Sequence, residues 1–253
     1  MIVRATAAWV RQLHAGEIAD KWPRIIQNWL YPPTCLLCGD PGEHGLDLCE
    51  ACAAALPRNG IACPSCAAPL ASPAAHLCGK CQIRPPVFVA AHAPLLYGKS
   101  NEVRHLIRAL KYHGQQPCAR LLGTLLADSL TGRAELPEAL IPVPLHASRY
   151  RERGFNQSLE IARVLSARLN LPLALDACRR VRATAPQALV ASARERRVNL
   201  RKAFRADPGI AFRHVALVDD VMTTGSTMTE LARTLRRAGV ARIEAWACAR
   251  TEA

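Results

Sequence analysis

The 253-residue chain has no uninterrupted apolar run of membrane-spanning length. Arg, Asp, Pro or Gly breaks every candidate, so insertion into a bilayer as a helix is excluded. A secretory leader is also missing: Arg11 interrupts the short apolar run 5–10, and no small-residue cleavage pattern follows. A cytoplasmic location is therefore expected. Aromatic residues make up 5% of the chain, thin material for a broad surface on which bases would stack. Acids are scarce too, with 20 Asp and Glu against 33 Lys and Arg and a net charge of +13. What is not scarce is apolar mass. Half of the residues are hydrophobic, enough for one domain of ordinary size and a smaller module.

The positive excess is concentrated at Arg149-Tyr-Arg-Glu-Arg153, at Arg179-Arg-Val-Arg182, and from Arg194 through Arg205. Charge runs usually mark solvated faces; a crevice for a polyanion is the other reading, with nucleic acid and a small polyphosphate both eligible.

Eight of the eleven cysteines fall into four Cys-x-x-Cys pairs: Cys35/Cys38, Cys49/Cys52, Cys63/Cys66 and Cys78/Cys81. This spacing puts two thiolates of one tight turn on the same ion, and two such turns complete a tetrahedral zinc site. The simplest assignment is two structural zinc ions, one in each half, giving tandem zinc ribbons. A crossed arrangement, with the first and third pairs sharing an ion, has the same spacing. A disulfide framework would need an oxidising compartment, and a redox dithiol is usually a single pair beside a βαβ unit. Cys118, Cys178 and Cys248 are scattered and read as packed small apolar residues. His44 and His76 lie inside the ribbons but are not needed as ligands.

These features divide the chain into a helical extension (1–34), a double zinc ribbon (35–86) and a larger domain (87–253). In the extension, Trp22, Ile25, Ile26, Trp29 and Leu30 form an apolar helical stripe that Pro32 and Pro33 end. Residues 83–86 read as a linker. Beyond it, strand-like runs at 87–97, 139–143, 215–219 and 243–249 alternate with helical patterns. One helix follows Ser100 with Val103, Leu106, Ile107 and Leu110 on one face; Pro117 opens a second, running to Leu130. Others cover 155–169, ended by Asn170, and 227–238, closed by Gly239. Such alternation predicts an α/β domain built on a parallel sheet.

The most specific stretch is Val215-Ala-Leu-Val-Asp219-Asp220-Val-Met-Thr223-Thr224-Gly225-Ser226-Thr227. Two carboxylates after an apolar strand are costly to bury unpaired, which argues for a crevice at the strand's carboxyl end. The turn after them is rich in N–H groups and hydroxyls and leads into a helix, which suits a bound phosphate. Diol-binding acids beside a phosphate cradle describe a site for a ribose 5-phosphate group. The plain structural alternative is an acidic turn followed by a Thr cap.

This stretch resembles the thirteen-residue phosphoribosyl-pyrophosphate (PRPP) motif of type I phosphoribosyltransferases. The resemblance implies that Asp219 and Asp220 hold the ribose hydroxyls and that Thr223, Thr224, Gly225, Ser226 and Thr227 hold the 5-phosphate. Further segments are Ile141-Pro-Val-Pro-Leu-His146 with Arg149 and Arg153-Gly-Phe-Asn-Gln157, then Thr184-Ala-Pro-Gln187, and Glu195-Arg-Arg-Val-Asn199. Together with the zinc pairs they are similar to the ComF/GntX family (ComFC-like proteins), which joins a double zinc ribbon to a phosphoribosyltransferase domain. That likeness implies a PRPP-binding transferase with Mg²⁺ as a companion ion, linked to DNA uptake in competence or to nucleotide metabolism. It offers His146, Arg149, Arg153 and Lys111 as pyrophosphate contacts, and makes 184–200 a closing loop carrying Arg194, Arg196 and Arg197. The alternative is a non-catalytic adaptor that senses PRPP or handles nucleic acid, with single-stranded DNA or a DNA-uptake protein as partner. The acceptor of the phosphoribosyl group leaves no signature in the sequence.

Overall fold

The computed structural model describes residues 32–99, 101–183, 200 and 202–251. The apolar stripe of the extension, Ser100, and the segment 184–199 with Arg194, Arg196 and Arg197 lie outside the described residues.

Two compact units share the chain, one ending at Ala54 and the other beginning at Ala55. The boundary falls inside the double ribbon. In the first unit Cys35, Cys38, Cys49 and Cys52 sit around tight turns, and Glu50–Ala55 forms a short helix, α1. The second unit carries the other four ribbon cysteines, ending in helix α2 (Gly79–Ile83), and the whole of the sheet.

That sheet is parallel throughout. Its strands are β1 (Ala90–His92), β2 (Leu95–Tyr97), β3 (Ala139–Pro142), β6 (His214–Met222) and β7 (Arg242–Thr251), in the order β1-β7-β6-β3 with β2 also paired to β7. β6 and β7 are buried almost end to end, as strands covered on both faces must be. The run 87–97 is two strands, not one, because Pro94 cannot donate to the ladder. A two-stranded antiparallel ribbon, β4 (Cys178–Arg180) with β5 (Phe204–Ala206), stands apart from the main sheet.

The helices follow their apolar spacing. α3 (Glu102–His113) buries Val103, Leu106, Ile107 and Leu110; its N-cap is Asn101, whose side chain accepts from the Arg104 N–H at 2.9 Å. α4 (Gln116–Leu130) opens on Pro117 and crosses α6 (Gln157–Leu169) so closely at Gly123 that a Cβ there would lie 2.8 Å from Val164 Cβ. Asn170 ends α6 in the left-handed conformation at φ 53°. Three short helices had no sequence signature: α1, α2 and α5 (Ala147–Arg153), the last seven residues long with none buried. α7 (Ser226–Arg237) packs Met228, Leu231, Ala232 and Leu235 inward, and Gly239 follows at φ 100°. No described helix is long and apolar enough to cross a membrane.

The second ribbon is built onto the edge of this sheet. Ala91 N–H donates to Pro64 O (2.8 Å), Leu96 N–H to Pro57 O (2.9 Å) and Asn59 N–H to Pro94 O (2.8 Å). The buried Asn59 amide ties Ala67 O to Ala93 O, both at 2.9 Å. An otherwise open edge of unpaired backbone is thereby covered.

Candidate functional site

Strand β6 extends three residues beyond the expected end, so both acids lie within it, paired in register with β7. The two carboxylates stay close enough to interact with each other and with Lys111. Asp219 keeps part of its surface accessible, whereas Asp220 is buried at 2% exposure. The sequence places both acids at an open crevice; Asp220 is instead enclosed, and its charge is met by Lys111 Nζ at 2.5 Å. Asp219 Oδ1 accepts from Ser158 Oγ–H at 2.8 Å and from the Asp220 N–H at 3.0 Å.

Burial and the neighbouring Asp220 carboxylate push Asp219 up to about 7, against the pull of Lys111 and Ser158. Lys111 moves upward as well. Its burial alone would lower it, but the Asp220 and Asp219 carboxylates more than offset that. Behind them the buried Cys248 thiol is raised by its burial and by the two acids, which keeps it neutral. Asp219 therefore holds its proton more tightly than a free carboxylate does.

The loop that follows leads into α7. Gly225 is the N-cap of α7 at φ 71°, a left-handed conformation that glycine adopts without a Cβ penalty. The N-cap residue itself therefore contributes backbone only. Thr224 Oγ1 and Ser226 Oγ lie 2.7 Å apart, and Ser226 N–H donates to Thr224 Oγ1 at 3.4 Å. Hydroxyls and the first amides of the helix thus meet at one point, beside the positive end of the helix dipole.

The other candidate residues divide. His146 caps α5, its Nδ1 accepting from the Ser148 N–H at 3.3 Å, and Arg149 pairs with Glu152 at 2.7 Å on the same helix. Arg153 donates to Gln157 Oε1 at 3.0 Å and lies over the Tyr112 ring at 5.8 Å, close enough to Lys111 to oppose its charge. Asn156 takes a structural place: it caps α6 by accepting from Ser158 N–H (3.1 Å) and donates to Val143 O (3.1 Å). Two neighbours of Asp219 had no individual signal. Ser158 is the second residue of α6, and Arg180 of β4, read only as part of a charge run, places its guanidinium within electrostatic reach of Asp219.

In the ribbons the pairing is settled. Cys35, Cys38, Cys49 and Cys52 form one cluster and Cys63, Cys66, Cys78 and Cys81 another, each with its sulfurs within 4.8 Å of one another. The crossed arrangement is overturned. Zn–S bonds of about 2.3 Å set neighbouring sulfurs of a tetrahedron roughly 3.8 Å apart. Cys38 and Cys49, and Cys66 and Cys78, stand at 3.6 Å, so both tetrads fit zinc. Burial works against ionisation of Cys35, but backbone N–H groups of Cys49, Cys38 and Leu37 bring it down to about 6. Cys63 is likewise lowered to about 7, its burial outweighed by backbone donors of Cys78, Ser65 and Cys66. Cys38, Cys52, Cys66 and Cys81 are instead raised, so each tetrad holds one readily ionised thiol beside others that a bound cation would have to deprotonate.

Comparison with known proteins agrees with both halves. Residues 26–82 match the double zinc ribbon domain and residues 156–252 the phosphoribosyl transferase domain. The chain is 39% identical over 235 residues to the DNA utilization protein YhgH of Escherichia coli O157:H7, covering 87% of this chain and 98% of that one. The chain belongs to the ComF family. Within the ComF family it is also 36% identical over 212 residues to competence protein F of Haemophilus influenzae (80% of this chain, 90% of that one). Competence protein ComFC of Streptococcus pneumoniae is 23% identical over 231 residues, covering 85% and 99%. A ComF chain thus combines two cysteine tetrads with a transferase-type sheet, and its acids and hydroxyl-rich loop stand at the carboxyl ends of β6 and β7.

Proposed function

We propose that this ComF protein binds PRPP or a related ribose phosphate at Asp219, Asp220 and the 223–227 loop, and that the site is of phosphoribosyltransferase type. The observation that carries the reading is the direct succession of a part-open carboxylate, a buried carboxylate and a backbone-capped helix start on one strand–loop–helix unit. Ribose hydroxyls donate to carboxylate oxygens; the 5-phosphate accepts from the loop's amides and hydroxyls. Above pH 7 Asp219 is ionised and accepts both, so binding strengthens as pH rises through that value.

Transfer needs negative charge stabilised where pyrophosphate leaves C1. Lys111 and Arg153 supply cations beside the acids, and Arg180 a third. Mg²⁺ belongs to this reading: Asp219 offers a part-open carboxylate, and such ions take one or two carboxylates together with substrate phosphates. Its contribution would be to neutralise pyrophosphate charge. Relatives named for DNA utilization and competence favour a cytoplasmic role in handling incoming DNA.

The decisive test is Asp219→Asn combined with Asp220→Asn, followed by calorimetry with PRPP and Mg²⁺. Binding lost with the fold intact supports the reading. Full affinity in the double variant overturns it.

A further inference from the structure

Arg250 stands near the end of β7. Its guanidinium is spent on carbonyls: Nε donates to Cys66 O at 3.0 Å, and Nη1 donates to Met222 O at 2.8 Å and to Thr223 O. Nη1 also meets Thr251 Oγ1 at 3.0 Å, and Thr251 Oγ1–H turns back to Thr223 O. Cys66 is a ligand residue of the second tetrad, and Thr223 opens the candidate phosphate loop. One planar fork therefore joins the second tetrad to the loop, with Arg250 reaching Cys66 across 184 residues of sequence.

A second contact runs parallel to it. Ala67, the residue after Cys66, belongs to the same apolar cluster as Phe88 and Met222. A Cβ on Gly225 would meet Met222 Sδ at 3.5 Å and Phe88 Cζ at 3.9 Å, so that cluster forms the floor of the loop. Arginine suits the first contact and lysine does not, because only a rigid fork reaches separate acceptors at fixed angles.

We propose that Arg250 is a positioning residue that fastens the 223–227 loop to the second cysteine tetrad, so that metal in that tetrad and a phosphate ester on the loop stabilise each other. The phosphate half rests on the reading given above; the mechanical half does not. Metal in the tetrad fixes the Cys66 turn and hence its carbonyl. The guanidinium transmits that position to Thr223 O, which orders the amides at 224–227. Linkage makes the effect reciprocal.

The test uses the full zinc-loaded chain, wild type and Arg250→Met, with Arg250→Lys as the charge-preserving variant. Amide hydrogen exchange is measured first, without ligand. In Arg250→Met, and in wild type after chelation of the second tetrad, exchange at 224–227 is expected to accelerate by about tenfold while the middle of β6 stays protected. Arg250→Lys behaves like Arg250→Met. If loop exchange is unchanged by both the substitution and chelation, the proposal is overturned; should Arg250→Met fail to fold, the chelation measurement alone decides.

Release of zinc to a chromogenic chelator is measured next, with and without saturating PRPP. PRPP is expected to slow loss of one of the two ions by about fivefold in wild type and not in Arg250→Met. Zinc release unaffected by bound PRPP overturns the coupling. If wild type binds no PRPP at all yet the exchange result holds, the PRPP reading fails and the fastening of loop to tetrad stands.

Discussion

Lys111→Met is the most informative perturbation of the acid cluster. Lys111 Nζ stands 2.5 Å from Asp220, with side-chain exposures of 23% and 3%. Breaking a buried ion pair by removing one partner costs about 3–5 kcal/mol, and the partly exposed lysine puts this one near the lower end, about 3 kcal/mol at pH 8. The loss must depend on pH, because Lys111 acts on the protonation of Asp219. Asp219 is raised in the folded state to about 7. Its contribution to stability is therefore full below the ordinary carboxylate range and disappears as pH rises through about 7. Lys111 holds that shift down, so removing it drives Asp219 further up, at about 1.4 kcal/mol per unit.

The expected outcome in urea unfolding is a loss of about 3 kcal/mol at pH 8 that shrinks by at least about 1 kcal/mol at pH 5.5, where Asp219 holds its proton. Adding Asp220→Asn to Lys111→Met should return at least half of the loss, because the stranded charge is gone. Equal losses at the two pH values, or a double variant as unstable as the sum of the singles, would refute the reasoning.

Metal analysis should return two zinc ions per chain, with Cys63→Ser/Cys81→Ser losing one of them; a single ion in wild type counts against the two-tetrad assignment. Gly225→Ala should cost about 1–2 kcal/mol, from the left-handed backbone rather than from crowding, since the added Cβ meets its neighbours only at ordinary contact distance. Gly225→Asn should recover part of that in the same denaturation assay, because asparagine tolerates the conformation; equal losses for both variants would mean that packing, not φ, sets the cost.

Helix faces were readable because their apolar spacing is local. Val103, Leu106, Ile107 and Leu110 are all buried where the period puts them. α5 and the β4–β5 ribbon escaped because a seven-residue charged helix and a three-residue Cys-Arg-Arg strand carry no periodicity to detect. The end of β6 was misjudged for a different reason. Two adjacent acids look like a strand terminus unless a distant cation is known to lie beneath one of them, and Lys111 is 109 positions away (220 − 111). Asn156 shows the opposite ambiguity: a polar residue that the sequence allows at a site or at a cap, and that hydrogen bonds to Ser158 and Val143 place at the cap.

By itself the sequence determined the parallel α/β class, the eight cysteine ligands and the acid–hydroxyl loop, since each is written in spacing over a few residues. Tertiary structure alone decided which cysteine turns share an ion, which aspartate is enclosed, and that Ser158, Arg180 and Arg250 reach the site. Those outcomes depend on contacts between segments far apart in the chain, whose energies arise only when the strands have brought them within hydrogen-bonding range.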